Sequence, residues 1–227
     1  MELARQLTAL APVYAVSGNH EARLPNYESE IAPALTAAGV VVLDDRQVVL
    51  ERQGSQLGLL GLSDPDFGRY QDMTSQIQQL AAANGQTFSL LLCHRPEYAS
   101  CYQQAGVDLV FCGHAHGGQF RLPGLGGLFA PGQGFLPRYT AGAYSLDATT
   151  KMCIRDSAKY RLGYFLWVEA GQRAAGPYRC LRRRLPLTMF LATSFWCRAR
   201  YAPKKKWRCY IFQLVLPAKV DFPSEFF

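Results

Sequence analysis

The sequence predicts an α/β fold for residues 1–150 and a basic, poorly structured tail for residues 151–227. Three observations carry this. Short apolar runs alternate with helix-like patterns through the first 115 residues, as strands interleaved with helices do. All four histidines stand one to four residues beyond an apolar run, and open α/β sheets collect ligands at the carboxyl ends of their strands. The charge reverses sign at Lys151.

The elements follow in order. Met1-Glu2-Leu3-Ala4-Arg5 enters a helix-like pattern directly, without the organisation of a signal peptide. Val13-Tyr14-Ala15-Val16 reads as a strand that runs into Ser17-Gly18-Asn19-His20-Glu21. Tyr27 to Ala38 reads as a helix stopped by Gly39. Val40 to Leu43, Gln47 to Arg52 and Leu57 to Leu62 are expected strands, with a turn at Asp44-Asp45. Gln71 to Ala83 is a second helix ended by Asn84-Gly85. Phe88 to Cys93 and Asp108 to Cys112 are buried strands, with a short helix from Pro96 to Gln104 between them. Gly117 to Gly142 is rich in Gly and Pro, which suits loops and brief strands at a sheet rim.

Composition narrows the function classes. Residues 1–150 hold eight arginines, no lysine and thirteen acidic residues, a net −5, whereas 151–227 hold sixteen basic and four acidic residues, a net +12. The overall charge of +7 therefore describes the tail. Seven cysteines without close pairing indicate neither a disulfide framework nor a zinc knuckle, and Cys93 and Cys112 read as small buried hydrophobes. No run reaches the ~20 apolar residues of a membrane span. The nearest, Leu185 to Cys197, is broken by Pro186, Thr188, Thr193 and Ser194.

The histidines carry the chemistry. They fall in Ala15-Val16-Ser17-Gly18-Asn19-His20-Glu21, in Leu90-Leu91-Leu92-Cys93-His94-Arg95-Pro96-Glu97 and in Val110-Phe111-Cys112-Gly113-His114-Ala115-His116-Gly117. Singly, each is a turn dipeptide or a structural histidine as readily as a ligand. Together, three strand ends delivering every imidazole to one margin make a site for divalent ions such as Zn, Mn or Fe. Two such ions clamp a phosphoryl group and activate water. An extended stretch would put His114 and His116 on one face, while a tight turn would let them reach adjacent metals.

Gly18-Asn19-His20-Glu21, then His94, then Gly113-His114-Ala115-His116 resemble the later motifs of the calcineurin-like metallophosphoesterases. Gly117-Gly118-Gln119, Leu122-Pro123 and Pro131-Gly132-Gln133-Gly134 resemble a branch that includes membrane-associated bacterial phosphoesterases. The resemblance covers about residues 1–150. It implies a β-sandwich flanked by helices, incomplete here, and hydrolysis of phosphodiester or pyrophosphate bonds through two divalent metal ions. It further implies that Asn19, His94 and His114 hold one metal and that His116 helps to hold the other. His20 is implied as the catalytic histidine, oriented by Glu21. Asp64 and Arg95 fall near the same rim with a structural or solvated reading only. The substrate stays open among phosphodiesters, nucleotides and lipid-linked pyrophosphates, and the location between membrane-associated and cytoplasmic.

The chain departs from that pattern at both ends. The family opens with an Asp-x-His strand and a Gly-Asp motif whose carboxylate bridges the metals, and neither occurs in the 17 residues before Gly18. The expectation is an inactive or nearly inactive chain whose sheet, short of strands, exposes apolar edges. Met152-Cys153-Ile154-Arg155-Asp156-Ser157 resembles one reading frame of the transposon-end adapter used to prepare sequencing libraries. Residues 152–157 are accordingly expected to be translated adapter and 158–227 foreign or frame-shifted sequence. Two other functions compete: a metal-binding remnant without activity, and nucleic-acid binding through Arg182-Arg183-Arg184 and Lys204-Lys205-Lys206. No known nucleic-acid-binding motif accompanies those clusters.

Overall fold

Successive side chains along a strand point to opposite faces, and Val13–Val16 and Leu109–Cys112 are apolar on both. A computed structural model describes residues 1–154 apart from 84, 86, 87, 123, 148 and 149, together with segments 160–161, 190–192 and 212–215. The order is α1 (Glu2–Thr8), β1 (Val13–Val16), α2 (Asn19–Ala22), a π-helical turn Tyr27–Ile31 leading into α3 (Ala32–Ala37), β2 (Val40–Val42), β3 (Arg46–Arg52) and β4 (Ser55–Gly61). There follow α4 (Met73–Ala82), β5 (Phe88–Leu92), α5 (Ala99–Ala105), β6 (Leu109–Cys112), β7 (Phe120–Leu122), β8 (Gly126–Gly127), β9 (Phe129–Ala130) and β10 (Gly134–Phe135). The last are β11 (Gly142–Ser145), β12 (Lys151–Ile154), β13 (Tyr160–Arg161), β14 (Phe190–Ala192) and β15 (Phe212–Val215).

Six strands form one sheet in the order β11-β12-β6-β5-β4-β3, parallel from β12 to β4 and antiparallel at both edges. A second sheet has the order β14-β15-β1-β2, with β1 and β2 parallel. Alternation then assigns the faces. Tyr14 and Val16 pack against Leu57, Leu59, Leu90, Leu92 and Phe111 between the sheets. Leu60, Leu91 and Val110 point the other way, onto Ile77 of α4 and Tyr102 of α5. Val13, Ala15 and Val40 face Ala4 of α1 and Leu35 of α3. The layers are helix, sheet, sheet, helix, a sandwich in which each fully buried leucine contributes about 1.5–3 kcal/mol.

Most expected elements appear within one or two residues of their sequence limits. The second helix starts at Met73 rather than Gln71 because the Asp72 carboxylate accepts from the Thr74 and Ser75 N–H groups at 3.1 and 3.0 Å. Asn84, half of its expected stop, lies outside the described residues. The sequence reading drew no strand in the tail, most of which lies outside the described residues. Among its described segments, β15 pairs antiparallel with all of β1, from Val13↔Val215 to Val16↔Phe212, and β14 pairs with β15. An unpaired edge offers N–H and C=O groups that any extended segment can satisfy, whatever its periodicity. Lys151–Ile154 is likewise a sheet strand, β12, between β6 and β11, with Met152 and Ile154 buried. Among the described residues no helix is long and apolar enough to cross a membrane.

Candidate metal centre

Strands β1, β5 and β6 end on the same margin, and the site is built from the residues that follow them. The turn after β1 is tied down from below. Asp44 accepts from the Ser17 N–H at 2.7 Å and hydroxyl at 2.8 Å through one oxygen, and from the Tyr27 hydroxyl at 2.7 Å through the other. The buried Glu21 carboxylate accepts from the Gly18 N–H at 3.0 Å, which closes the turn onto α2. Gly18 lies against the His94 ring so closely that a Cβ there would stand 2.9 Å from His94 Cδ2. Absence of a side chain at Gly18 is thus what lets α2 and the end of β5 meet. The Gly113 N–H donates to the His94 carbonyl at 3.1 Å and joins the ends of β5 and β6.

These ties bring Asn19, His94 and His114 together. His94 Nε2 lies 3.1 Å from Asn19 Oδ1 and 3.2 Å from His114 Nδ1, and all three residues are buried. The His94 and His114 rings pack edge to face with centroids 4.9 Å apart. The His114–His116 centroids are 6.4 Å apart, across a tight turn. Both histidines adopt left-handed backbone, φ 60° at His114 and φ 51° at His116, which costs about 1–3 kcal/mol each and is concentrated at functional sites. His20, on the first turn of α2, is near enough for its field to act on both His94 and His114.

The electrostatics favour the neutral form of the His94 and His114 imidazoles. Burial, then the neighbouring His114 and Arg95, hold His94 well below the ordinary histidine range. Burial and the Arg95 charge bring His114 down to about 3. Arg95 is itself held in place: its Nε and Nη2 donate to the two oxygens of the fully buried Asp64, each at 2.7 Å. Nη2 also meets Asp66 at 2.8 Å, and Nη1 donates to Glu97 Oε1 at 3.4 Å. The reading of Asp64 as structural or solvated resolves in favour of structure, since its side chain has no exposed surface.

Asn19, His94 and His114 are the residues that could hold one divalent ion. Ligand atoms on bonds of about 2.1 Å lie about 3.0–3.4 Å from one another, the spacing seen around His94 Nε2. Two neutral imidazoles and a carboxamide oxygen suit borderline first-row ions. A second ion has fewer ligands here. Among the described residues no three His, Cys, Asp or Glu side chains gather to hold a metal, and beyond the Asn19, His94 and His114 set only His116 of the expected ligands remains.

A family model for calcineurin-like phosphoesterase matches residues 1–118. The chain belongs to this family. Among curated calcineurin-like and related proteins, it is 32% identical over 137 residues to phosphodiesterase YaeI of Escherichia coli (strain K12), across 60% of this chain and 47% of that protein. It is 30% identical over 151 residues to the uncharacterized metallophosphoesterase YkuE of Bacillus subtilis (strain 168), across 65% of this chain and 49% of that one. It is also 24% identical over 118 residues to the uncharacterized protein YpbG of the same organism, across 51% and 42%. The chain spans about half the length of the curated relatives it matches. As a calcineurin-like phosphoesterase, it carries its buried cluster inside the region that the family model covers.

Sequence reasoning passed over two carboxylates. Asp44 was read only as part of a turn, although it anchors the Ser17 turn. Glu97 stands three residues after His94, and its Oε1 is 3.8 Å from His114 Nε2. Its signal was a carboxylate close behind a candidate ligand at a strand end.

Proposed function

We propose that this chain is the metal-binding portion of a hydrolase acting on phosphoric esters, most concretely phosphodiester or pyrophosphate bonds, by way of a dinuclear centre. The observation that carries the reading is the convergence of Asn19 Oδ1, His94 Nε2 and His114 Nδ1 within 3.1–3.2 Å contacts. In this reading Asn19, His94 and His114 hold one divalent ion and His116 contributes to the second. Bound ions supply Lewis-acid stabilisation of phosphoryl oxygens and an activated water. His20 donates a hydrogen bond to a phosphate oxygen or protonates the leaving oxygen. Glu21 keeps His20 oriented through the first turn of α2.

The ligand count makes this chain a poor catalyst by itself, because among the described residues one ion has three candidate ligands and the other has little beyond His116. Calorimetric titration with Mn²⁺ or Zn²⁺ is expected to give one site, lost on His94→Ala. Hydrolysis of bis-p-nitrophenyl phosphate is expected at the rate of Mn²⁺ alone. Two tight sites, or robust turnover, would overturn the ligand count; no binding at all would overturn the metal reading. The adapter origin of residues 152–157 stands beside this as a separate proposal, supported by the charge reversal at Lys151 and decided by the nucleotide sequence of those codons.

A lipid-linked phosphate ester is the substrate class favoured by one further observation. Phe120, Leu122, Leu125, Phe135 and Leu136 are all exposed, Phe135 by 83%. The Leu128 N–H donates to the Phe120 carbonyl at 2.7 Å and the Leu136 N–H to the Leu128 carbonyl at 2.9 Å, so these segments share one rim. No acidic residue occurs between Asp108 and Asp147, whereas Arg121 and Arg138 do. Arg121 donates to the Gly117 carbonyl at 2.7 Å, which fixes that rim beside His116. Apolar side chains with arginines suit an anionic lipid interface. Phe135→Ser with Leu136→Ser is expected to weaken binding to phosphatidylglycerol vesicles at least about tenfold, from the loss of two buried apolar side chains. Unchanged binding would assign vesicle affinity to the basic tail instead.

A further inference from the structure

We propose that Glu97 is a positioning residue for His114: its carboxylate accepts the Nε2–H of His114 and so keeps Nδ1 free as the ligand nitrogen. The proposal rests on the metal reading of Asn19, His94 and His114. A neutral imidazole has one proton. His114 turns Nδ1 toward His94 Nε2 at 3.2 Å, so Nδ1 is the nitrogen on the ligand side. With its lone pair committed there, the proton must sit on Nε2, which then needs an acceptor.

Two groups face Nε2, and only one can accept. Arg95 Nη1, 3.4 Å away, can only donate, and that bond is open only to the tautomer with its proton on Nδ1, which a ligand Nδ1 excludes. Glu97 Oε1 lies 3.8 Å away, and a carboxylate is solely an acceptor. The guanidinium is drawn off by two anions of its own, Asp64 at 2.7 Å and Asp66 at 2.8 Å. Glu97 has acceptor capacity to spare, because its Oε2 is buried without a hydrogen-bond partner. Arg95 Nη1 tethers Oε1 at 3.4 Å from one side. From the other side Gly132 closes over it: with φ 75°, and a Cβ that would overlap Glu97 Oε1, this position requires glycine. The 3.8 Å separation is an ion-pair distance, and the proposed bond requires it to shorten to the usual ~2.8 Å of a charge-assisted bond. The arrangement explains why the Pro131-Gly132-Gln133-Gly134 segment lies against the site.

The test compares wild type, Glu97→Ala and Glu97→Gln in the full chain by Zn²⁺ calorimetry, with thermal unfolding as a check on folding. Loss of a supporting acceptor weakens metal affinity about 10–100-fold. Glu97→Ala is expected to show that loss, while Glu97→Gln, whose amide oxygen still accepts, stays within about threefold of wild type. In ¹⁵N-histidine spectra of the Zn²⁺-loaded wild type, His114 is expected to be protonated at Nε2. Unchanged affinity in Glu97→Ala, equal losses in Ala and Gln variants (a charge effect alone), or a proton on Nδ1 would each overturn the role of Glu97 while leaving the metal reading standing. A wild type that binds no Zn²⁺ would overturn the metal reading and this role with it.

Discussion

Replacing Arg95 with alanine is expected to destabilise the fold by about 3–5 kcal/mol, the usual penalty for stranding a buried charge. Asp64 has no exposed side-chain surface and Arg95 has 12%, so water cannot replace the lost partner without opening the rim. The variant removes two charge-assisted bonds of 2.7 Å and leaves Asp64, among the described residues, with the Asp66 N–H at 3.0 Å. Each bond of that type is worth about 1.5–3 kcal/mol, which agrees with the penalty estimated for the pair. For a chain of this size that loss lowers the melting temperature by roughly 6–20 °C. Urea unfolding followed by circular dichroism measures it directly. The decisive control is Arg95→Met combined with Asp64→Asn, which removes the fully buried charge that the single variant strands and is expected to recover much of the loss. A single variant that loses less than about 1 kcal/mol, or a double variant as unstable as the single, would show that the pair is solvated and the reasoning wrong.

Other perturbations read separate parts of the structure. Gly18→Ala brings a methyl group to 2.9 Å from the His94 ring, and calorimetry is expected to show Zn²⁺ affinity lowered at least tenfold while far-UV circular dichroism is unchanged. Tyr27→Phe deletes the 2.7 Å hydroxyl bond to Asp44 Oδ2 and is expected to cost about 1–2 kcal/mol in urea unfolding, since the Ser17 donors bind the other oxygen. Ile77→Ala opens a cavity between α4 and the large sheet at a fully buried position, with an expected loss of about 2–5 kcal/mol in the same assay.

The order of elements through β6 was legible because strands and helices leave different periods in a chain, and here the periods are clean. Val13 to Val16, Phe88 to Cys93 and Asp108 to Cys112 announce buried strands by apolar content alone. The ligand candidates were legible for a related reason: turn residues and imidazoles directly after such runs fall at strand ends. The pairing of Phe212–Val215 with β1 was not legible, because backbone hydrogen bonding at an open edge leaves no mark on side-chain order. Nor was Glu97, whose place depends on how far Arg95 and Gly132 press it toward His114.

By itself, then, the sequence determined the element types, the three strand ends that matter and the residue types waiting there. Local periodicity and turn chemistry act over a few residues, and those are written in any one segment. The tertiary structure alone decided that Asn19, His94 and His114, up to 95 residues apart, share contacts of 3.1–3.2 Å, and that a buried carboxylate–guanidinium network backs them. Convergence of that kind comes from the packing of two sheets and the stagger of their strands, which no single stretch of chain encodes.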